Sequence, residues 1–126
     1  MVPDKYSYIY NKVKDALETD NLYLRSDLSL VMLSRVVGTN TVYLSQAINQ
    51  GFGCSFSMMV NRYRVNHLIN EARNSNQRVE MVAAKYDFWS RSTFYYVFRQ
   101  VTGMTPHRYM DKLKQENKDE SKKYEV

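Results

Sequence analysis

The 126 residues include one cysteine, one tryptophan, two prolines and four glycines. Cys54, being alone, excludes an internal disulfide and a cysteine-rich zinc site; it is expected to be a buried or turn residue in a chain suited to a reducing cytoplasm. The scarcity of glycine and proline leaves long uninterrupted segments whose apolar spacing is helical, which excludes a turn-rich β architecture. No apolar run reaches the about 18 residues of a membrane span. Met1-Val2-Pro3-Asp4 lacks the charged-then-apolar pattern of a secretion signal, so an intracellular protein without membrane contact is expected from this segment. The two histidines, His67 and His107, are isolated, without metal-ligand spacing, and neither a phosphate-cradling glycine loop nor a nucleophile turn occurs. These absences point away from an enzyme and give no reason to expect a cofactor or metal. His67 is expected to pack inside the protein, while His107 is either a phosphate contact or an exposed bystander. Met32, Met58, Met59 and Met81 are expected to fill core space.

Acidic residues are also missing from a long stretch, with none between Leu28 and Asn70. Residues 21 to 110 carry ten Lys/Arg against four Asp/Glu, a net of +6, and nine of the ten are arginine. Both ends are near neutral. A basic middle rich in arginine suits an anionic partner, because the guanidinium fork matches phosphates and guanine edges.

The helical segments are bounded by recognisable signals. Ile9, Val13 and Leu17, with Tyr6 and Tyr10, mark a first helix starting near Asp4 as N-cap and ending around Thr19 to Asn21. Ser29 caps a helix from Leu30 to Val37 that stops at Gly38, and Asn40 caps a second from Thr41 to about Gln50. Ser55 opens a long helix from Phe56 to about Arg73. Its two apolar stripes, Phe56, Met59, Val60 and Tyr63, then Val65, Leu68, Ile69 and Ala72, predict different neighbours along its length. Val79, Val82, Ala83 and Tyr86 follow helical spacing, a turn covers Asp87 to Trp89, and Ser90 caps a helix to Thr102. Thr105 followed by Pro106 begins a last helix through Tyr109, Met110 and Leu113. The polar tail from Lys114 is expected to fray.

Self-similarity at a period of 50 residues is the strongest signal. Leu44, Ala47, Ile48 and Gly51 match Phe94, Val97, Phe98 and Val101 as inward positions, and Gly53-Cys54-Ser55-Phe56 lies over Gly103-Met104-Thr105-Pro106. A helix, a tight turn and a second helix, used twice, is the helix-turn-helix plan. The predicted fold is all-α, with about seven helices in two homeodomain-like helix-turn-helix subdomains joined by a long central helix. The divisions are 1–24 (first helix and connection), 25–54 (first unit), 55–75 (linker helix), 76–113 (second unit and closing helix) and 114–126 (tail). Once the inward positions are fixed, the outward ones become candidates for reading bases: Thr41, Val42, Ser45, Gln46 and Asn49, then Arg91, Ser92, Tyr95, Tyr96 and Arg99. Gln and Asn can pair two-point with adenine and Arg with guanine. Arg35, Asn40, Arg62, Ser90, Thr105, His107 and Arg108 are candidates for phosphates.

On these residues the chain resembles the AraC/XylS family of bacterial transcription regulators from about Leu28 to Tyr109. Leu33-Ser34, Tyr43-Leu44-Ser45 and Arg64 carry the resemblance first. The more specific part is Val82-Ala83, Phe88, Ser90, Ser92-Thr93-Phe94, Val97-Phe98-Arg99, Gly103-Met104-Thr105-Pro106 and Tyr109. The resemblance implies sequence-specific binding of double-stranded DNA, with two recognition helices in successive major grooves. Family members usually carry this domain at the C-terminal end of a larger protein whose other part senses a signal, so the chain is expected to be an excised domain, with a stand-alone regulator as the alternative. RNA polymerase is a further possible partner. The chain departs from the family at Leu68, where a small residue is common, and at Asp87, where glycine is usual and a left-handed turn conformation is expected. No Lys or Arg lies between Arg35 and Arg62. The first recognition helix therefore has no cation of its own, and the second unit is expected to supply most of the affinity. The competing reading is a helical protein-interaction module without DNA; it accounts for exposed tyrosines but not for the arginine bias or the repeat.

Overall fold

The computed structural model describes residues 5–123. Seven α-helices and one 3-10 turn follow in order: α1 (Lys5–Glu18), the 3-10 turn Leu22–Leu24, α2 (Leu30–Val37), α3 (Thr41–Phe52), α4 (Phe56–Ser75), α5 (Val79–Ala83), α6 (Arg91–Thr102) and α7 (Pro106–Lys123). No strand occurs among the described residues. The chain divides between His67 and Leu68 into two compact units. The division falls inside α4, which at 20 residues is about 30 Å long at 1.5 Å per residue.

Local chemistry places the helix ends. Ser29 Oγ accepts the Met32 N–H at 3.1 Å, and Ser55 Oγ accepts that of Met58 at 3.2 Å. Gly38, Gly53 and Gly103 close α2, α3 and α6 in the left-handed conformation that glycine adopts without a Cβ penalty. Among the described residues Asn21 and Asn76 are the non-glycine residues with positive φ. Asp87 is not among them, so its turn needs no left-handed backbone, and an aspartate costs no such strain there. The expected cap at Asp4 lies outside the described residues. Two segments run differently from the sequence reading. Past Leu113, α7 continues to Lys123 instead of fraying. That stretch is rich in Lys, Gln and Glu and holds neither Gly nor Pro, so nothing in it stops a helix. The third helix likewise runs on through Gly51 to Phe52.

In the first unit Ile9, Val13, Leu17, Leu33, Val37, Leu44, Ile48, Met59 and Val60 form one buried cluster. Gly51 is what lets α1 settle on α3. A Cβ at this position would lie 2.2 to 2.8 Å from ring atoms of Tyr10, a ring that also packs on Phe52 with centroids 4.9 Å apart. Arg64 enters from α4, only 7% exposed. Its Nε donates to Tyr23 O at 2.8 Å and its Nη2 to Arg25 O at 2.7 Å, which pins the 3-10 turn; burial pushes its pKa down from the ordinary arginine value. Tyr23 stacks on Tyr63, whose hydroxyl donates to Glu18 at 2.8 Å, and Tyr23 Oη lies 3.2 Å from His67 Nδ1. His67 is therefore a packing residue, as expected.

In the second unit Leu68, Ile69, Ala72, Val79, Val82, Phe94, Val97 and Phe98 are buried. Tyr86 donates to Glu71 at 2.6 Å and stacks on Phe88. Met59 is buried, and Met32 and Met58 are half-buried. Met81 is 59% exposed, against the expectation of a core filler. It lies on the outer side of the one-and-a-half-turn α5, between inward Val79 and Val82.

Two substitutions test this packing. Replacing Arg64 by Ala takes the guanidinium donor from the Tyr23 carbonyl and leaves the Arg25 carbonyl only the Leu28 N–H at 3.3 Å, and should lower the unfolding free energy in urea by about 2–4 kcal/mol. Gly51→Ala gains helix propensity but overpacks Tyr10, for a net loss of roughly 1–2 kcal/mol in the same measurement.

Candidate nucleic-acid interface

Two helices present matching outward faces. In α3 the positions are Thr41, Val42, Ser45, Gln46 and Asn49; in α6 they are Arg91, Ser92, Tyr95, Tyr96 and Arg99, each 50 residues after its counterpart. Leu44, Ala47 and Ile48, and likewise Phe94, Val97 and Phe98, are buried beneath them. Of the ten outward residues Thr41 and Ser45 are half-buried and the rest are exposed, with Val42 at 61% and Tyr96 at 64%. Exposed apolar and aromatic groups on a polar helix face suit contact with a partner, and Val42 offers a surface for a thymine methyl.

The same device starts both helices. Asn40 Oδ1 accepts the Tyr43 N–H at 2.8 Å, and Ser90 Oγ accepts that of Thr93 at 3.3 Å while its own hydroxyl donates to Thr93 Oγ1 at 2.9 Å. Thr105 Oγ1 accepts the Arg108 N–H at 3.3 Å. The side chains of these three phosphate candidates are thus occupied as caps. What they leave for an anion is the remaining N–H groups of the first turn and the positive end of the helix dipole.

The cations differ in how free they are. Arg35, Arg91, Arg99 and Arg108 are exposed and form no ion pair with the described residues. Arg91 leans toward the Tyr95 ring, 6.0 Å from its centroid. Arg62 is partly engaged, its Nη1 lying 3.4 Å from Phe52 O and 3.5 Å from Cys54 Sγ at the end of α3. His107 pairs with Asp111 at 3.1 Å, so a carboxylate already faces its ring. Two other second-unit acids face cations: Glu80 meets Arg78, and Glu71 lies 4.0 Å from Lys85.

The polar side chains are also partly committed. Asn49 Nδ2 folds back onto Ser45 O at 2.9 Å, and Gln100 Nε2 donates to Tyr96 Oη at 2.9 Å. Gln46 Oε1 accepts from the Tyr6 hydroxyl of α1. Lys5, the residue before it, places Nζ 3.9 Å from the centroid of the Tyr43 ring. A cation does therefore stand beside α3, although none lies on it. The sequence reading missed Lys5, Tyr6 and Gln100. Gln100 sits one turn after Tyr96 and was open to a helical-spacing argument. Lys5 and Tyr6 are some 40 residues from the helix they touch, and no local signal joins them.

A family model described as a helix-turn-helix domain matches residues 33–112. The chain belongs to this family, the AraC-type helix-turn-helix domains of DNA-binding transcription regulators, which is not a family of enzymes. An uncharacterized HTH-type transcriptional regulator from Staphylococcus aureus is 27% identical over 99 residues, covering 79% of this chain. A regulator described in the same way from strain N315 matches to the same extent. The chain spans 13% of the length of these curated relatives. Among solved structures, the C-terminal domain of AraT, a response regulator from Geobacillus stearothermophilus, superposes with a TM-score of 0.67 at 21% identity. The alignment covers 84% of this chain and 86% of that one, and it shows a shared fold. A Listeria innocua protein described as of unknown function aligns with a TM-score of 0.60 at 30% identity, over 77% of this chain and 92% of its own. Among the described residues no helix is long and apolar enough to cross a membrane, and no group of His, Cys, Asp and Glu could hold a metal ion.

The caps are separable from base contacts. Ser90→Ala and Asn40→Ala should each lower stability by about 1 kcal/mol in urea unfolding, through the loss of a cap bond that no neighbouring side chain replaces.

Proposed function

We propose that the chain binds double-stranded DNA sequence-specifically, with α3 and α6 entering successive major grooves. The observation that carries this reading is the pair of equally capped helices with the same five outward positions. Thr41, Val42, Ser45, Gln46 and Asn49 face bases in one block of the site, and Arg91, Ser92, Tyr95, Tyr96 and Arg99 in the other. Arg35, Arg62, His107 and Arg108, with the first-turn amides behind Asn40, Ser90 and Thr105, hold phosphates and fix the register. The second unit supplies most of the affinity, because Arg91 and Arg99 lie on its recognition helix itself and are unpaired. The small share of its curated relatives that the chain covers supports a role as the DNA-binding part of a larger cytoplasmic regulator. A sensor domain, and at the promoter RNA polymerase, complete that proposal.

Selection from random duplexes followed by sequencing, at two salt concentrations, tests it directly. The expected product is an asymmetric motif in two blocks about one helical turn, ~34 Å, apart. Affinity should fall with salt at a log-log slope of about −0.9 per phosphate contacted. The Arg91→Ala/Arg99→Ala double variant should lose mainly one block. Intact binding by that variant overturns the division of labour. Absence of any motif, with no salt-dependent binding, overturns the DNA reading in favour of a protein-binding module.

A further inference from the structure

We infer that Tyr6 of α1 sets the base preference of Gln46 by turning its side-chain amide. The inference rests on the reading of α3 as a base-reading helix. Gln46 is exposed on the outward face, and taken alone its amide can meet adenine at two points, the oxygen accepting from N6 and the nitrogen donating to N7. In the structure that oxygen is already turned to a donor on α1, which takes one of its two lone pairs. The Tyr6 hydroxyl donates to Gln46 Oε1, and the Tyr6 ring is held from the side by Tyr43, with centroids 6.3 Å apart at an interplanar angle of 79°.

With its oxygen turned to α1, Gln46 presents Nε2 outward and acts as a donor. In the major groove guanine offers two acceptors, N7 and O6, and thymine offers O4; adenine pairs its one acceptor with a donor, and cytosine shows only a donor. A Gln46 that faces the groove with its nitrogen therefore selects guanine or thymine and loses the two-point match to adenine. Lys5, over the Tyr43 ring at 3.9 Å, adds positive charge to the same end of α3 and favours the acceptor-rich edge of guanine further. Tyr6 is thus a positioning residue for specificity, acting through Gln46 from another helix.

The test compares the 126-residue chain with its Tyr6→Phe and Gln46→Ala variants in selection from random duplexes, alongside their thermal unfolding. Tyr6→Phe keeps the ring against Tyr43 and removes only the hydroxyl, so its unfolding midpoint should stay close to that of the parent. The parent should show guanine or thymine at one position of one block, and Gln46→Ala should flatten that position. Tyr6→Phe should raise adenine there about five- to tenfold relative to guanine and thymine, leaving the other positions as they were, the size expected for one regained base contact. A Tyr6→Phe profile identical to the parent's overturns the inference, as does a uniform loss of affinity at all positions. So does a parental preference for adenine or cytosine at the Gln46-dependent position, or a Gln46→Ala variant that flattens none. In each of these cases the parental motif survives, and DNA reading by the chain stands. Absence of a motif from the parent itself overturns both together.

Discussion

The rotational phase of a helix is decided in its first turn, and the outward faces of α3 and α6 depend on that constraint. A shift of one residue turns a helix by about 100°, enough to exchange an outward side chain for an inward one. Asn40 and Ser90 fix the phase by accepting the Tyr43 and Thr93 amides, and Gly53 and Gly103 end the helices in the left-handed conformation. Between those limits Leu44, Ala47 and Ile48, or Phe94, Val97 and Phe98, must face the core, so the five outward positions have no alternative placement. Residues off the outward faces thus decide which side chains those faces carry.

Arg64 applies similar control at longer range. Its guanidinium meets two carbonyls of the segment that joins α1 to α2, whose own backbone bonds are all local. A buried arginine is costly unless its donors are satisfied, so the segment and the arginine require each other. Through that clamp the placement of α1, and with it Lys5 and Tyr6, is tied to α4. Nothing about Arg64 in the sequence distinguished it from the basic surface around it except the family resemblance. Burial separates it from Arg91 and Arg99, which are exposed and unpaired.

Much of the architecture was legible because its causes are local. Ser29, Asn40, Ser55 and Ser90 sit where caps must sit, and the i, i+3, i+4 spacing of the inward residues survives side by side in both copies. What escaped has non-local or overridden causes. Met81 matched a helical core type but falls on the outer side of α5, between the inward Val79 and Val82. Asp87 invited a left-handed turn through comparison with glycine, yet the backbone has ordinary φ there. The commitments of Gln46 to Tyr6 and of Lys5 to Tyr43 join residues about 40 positions apart, beyond the reach of any periodicity argument.

Gly51 bears on how interchangeable the two halves are. By the repeat it corresponds to Val101, and the inward pattern alone treats the two as equivalent. In the first unit, however, the space a side chain would fill is taken by the Tyr10 ring of α1. The first half has let an extra helix stand in for one of its own side chains, and the second half has kept the side chain. The copies are therefore no longer modular: the α6 sequence transplanted whole into α3 would carry a valine into an aromatic ring. Only the outward residues can be exchanged between the halves without meeting that ring.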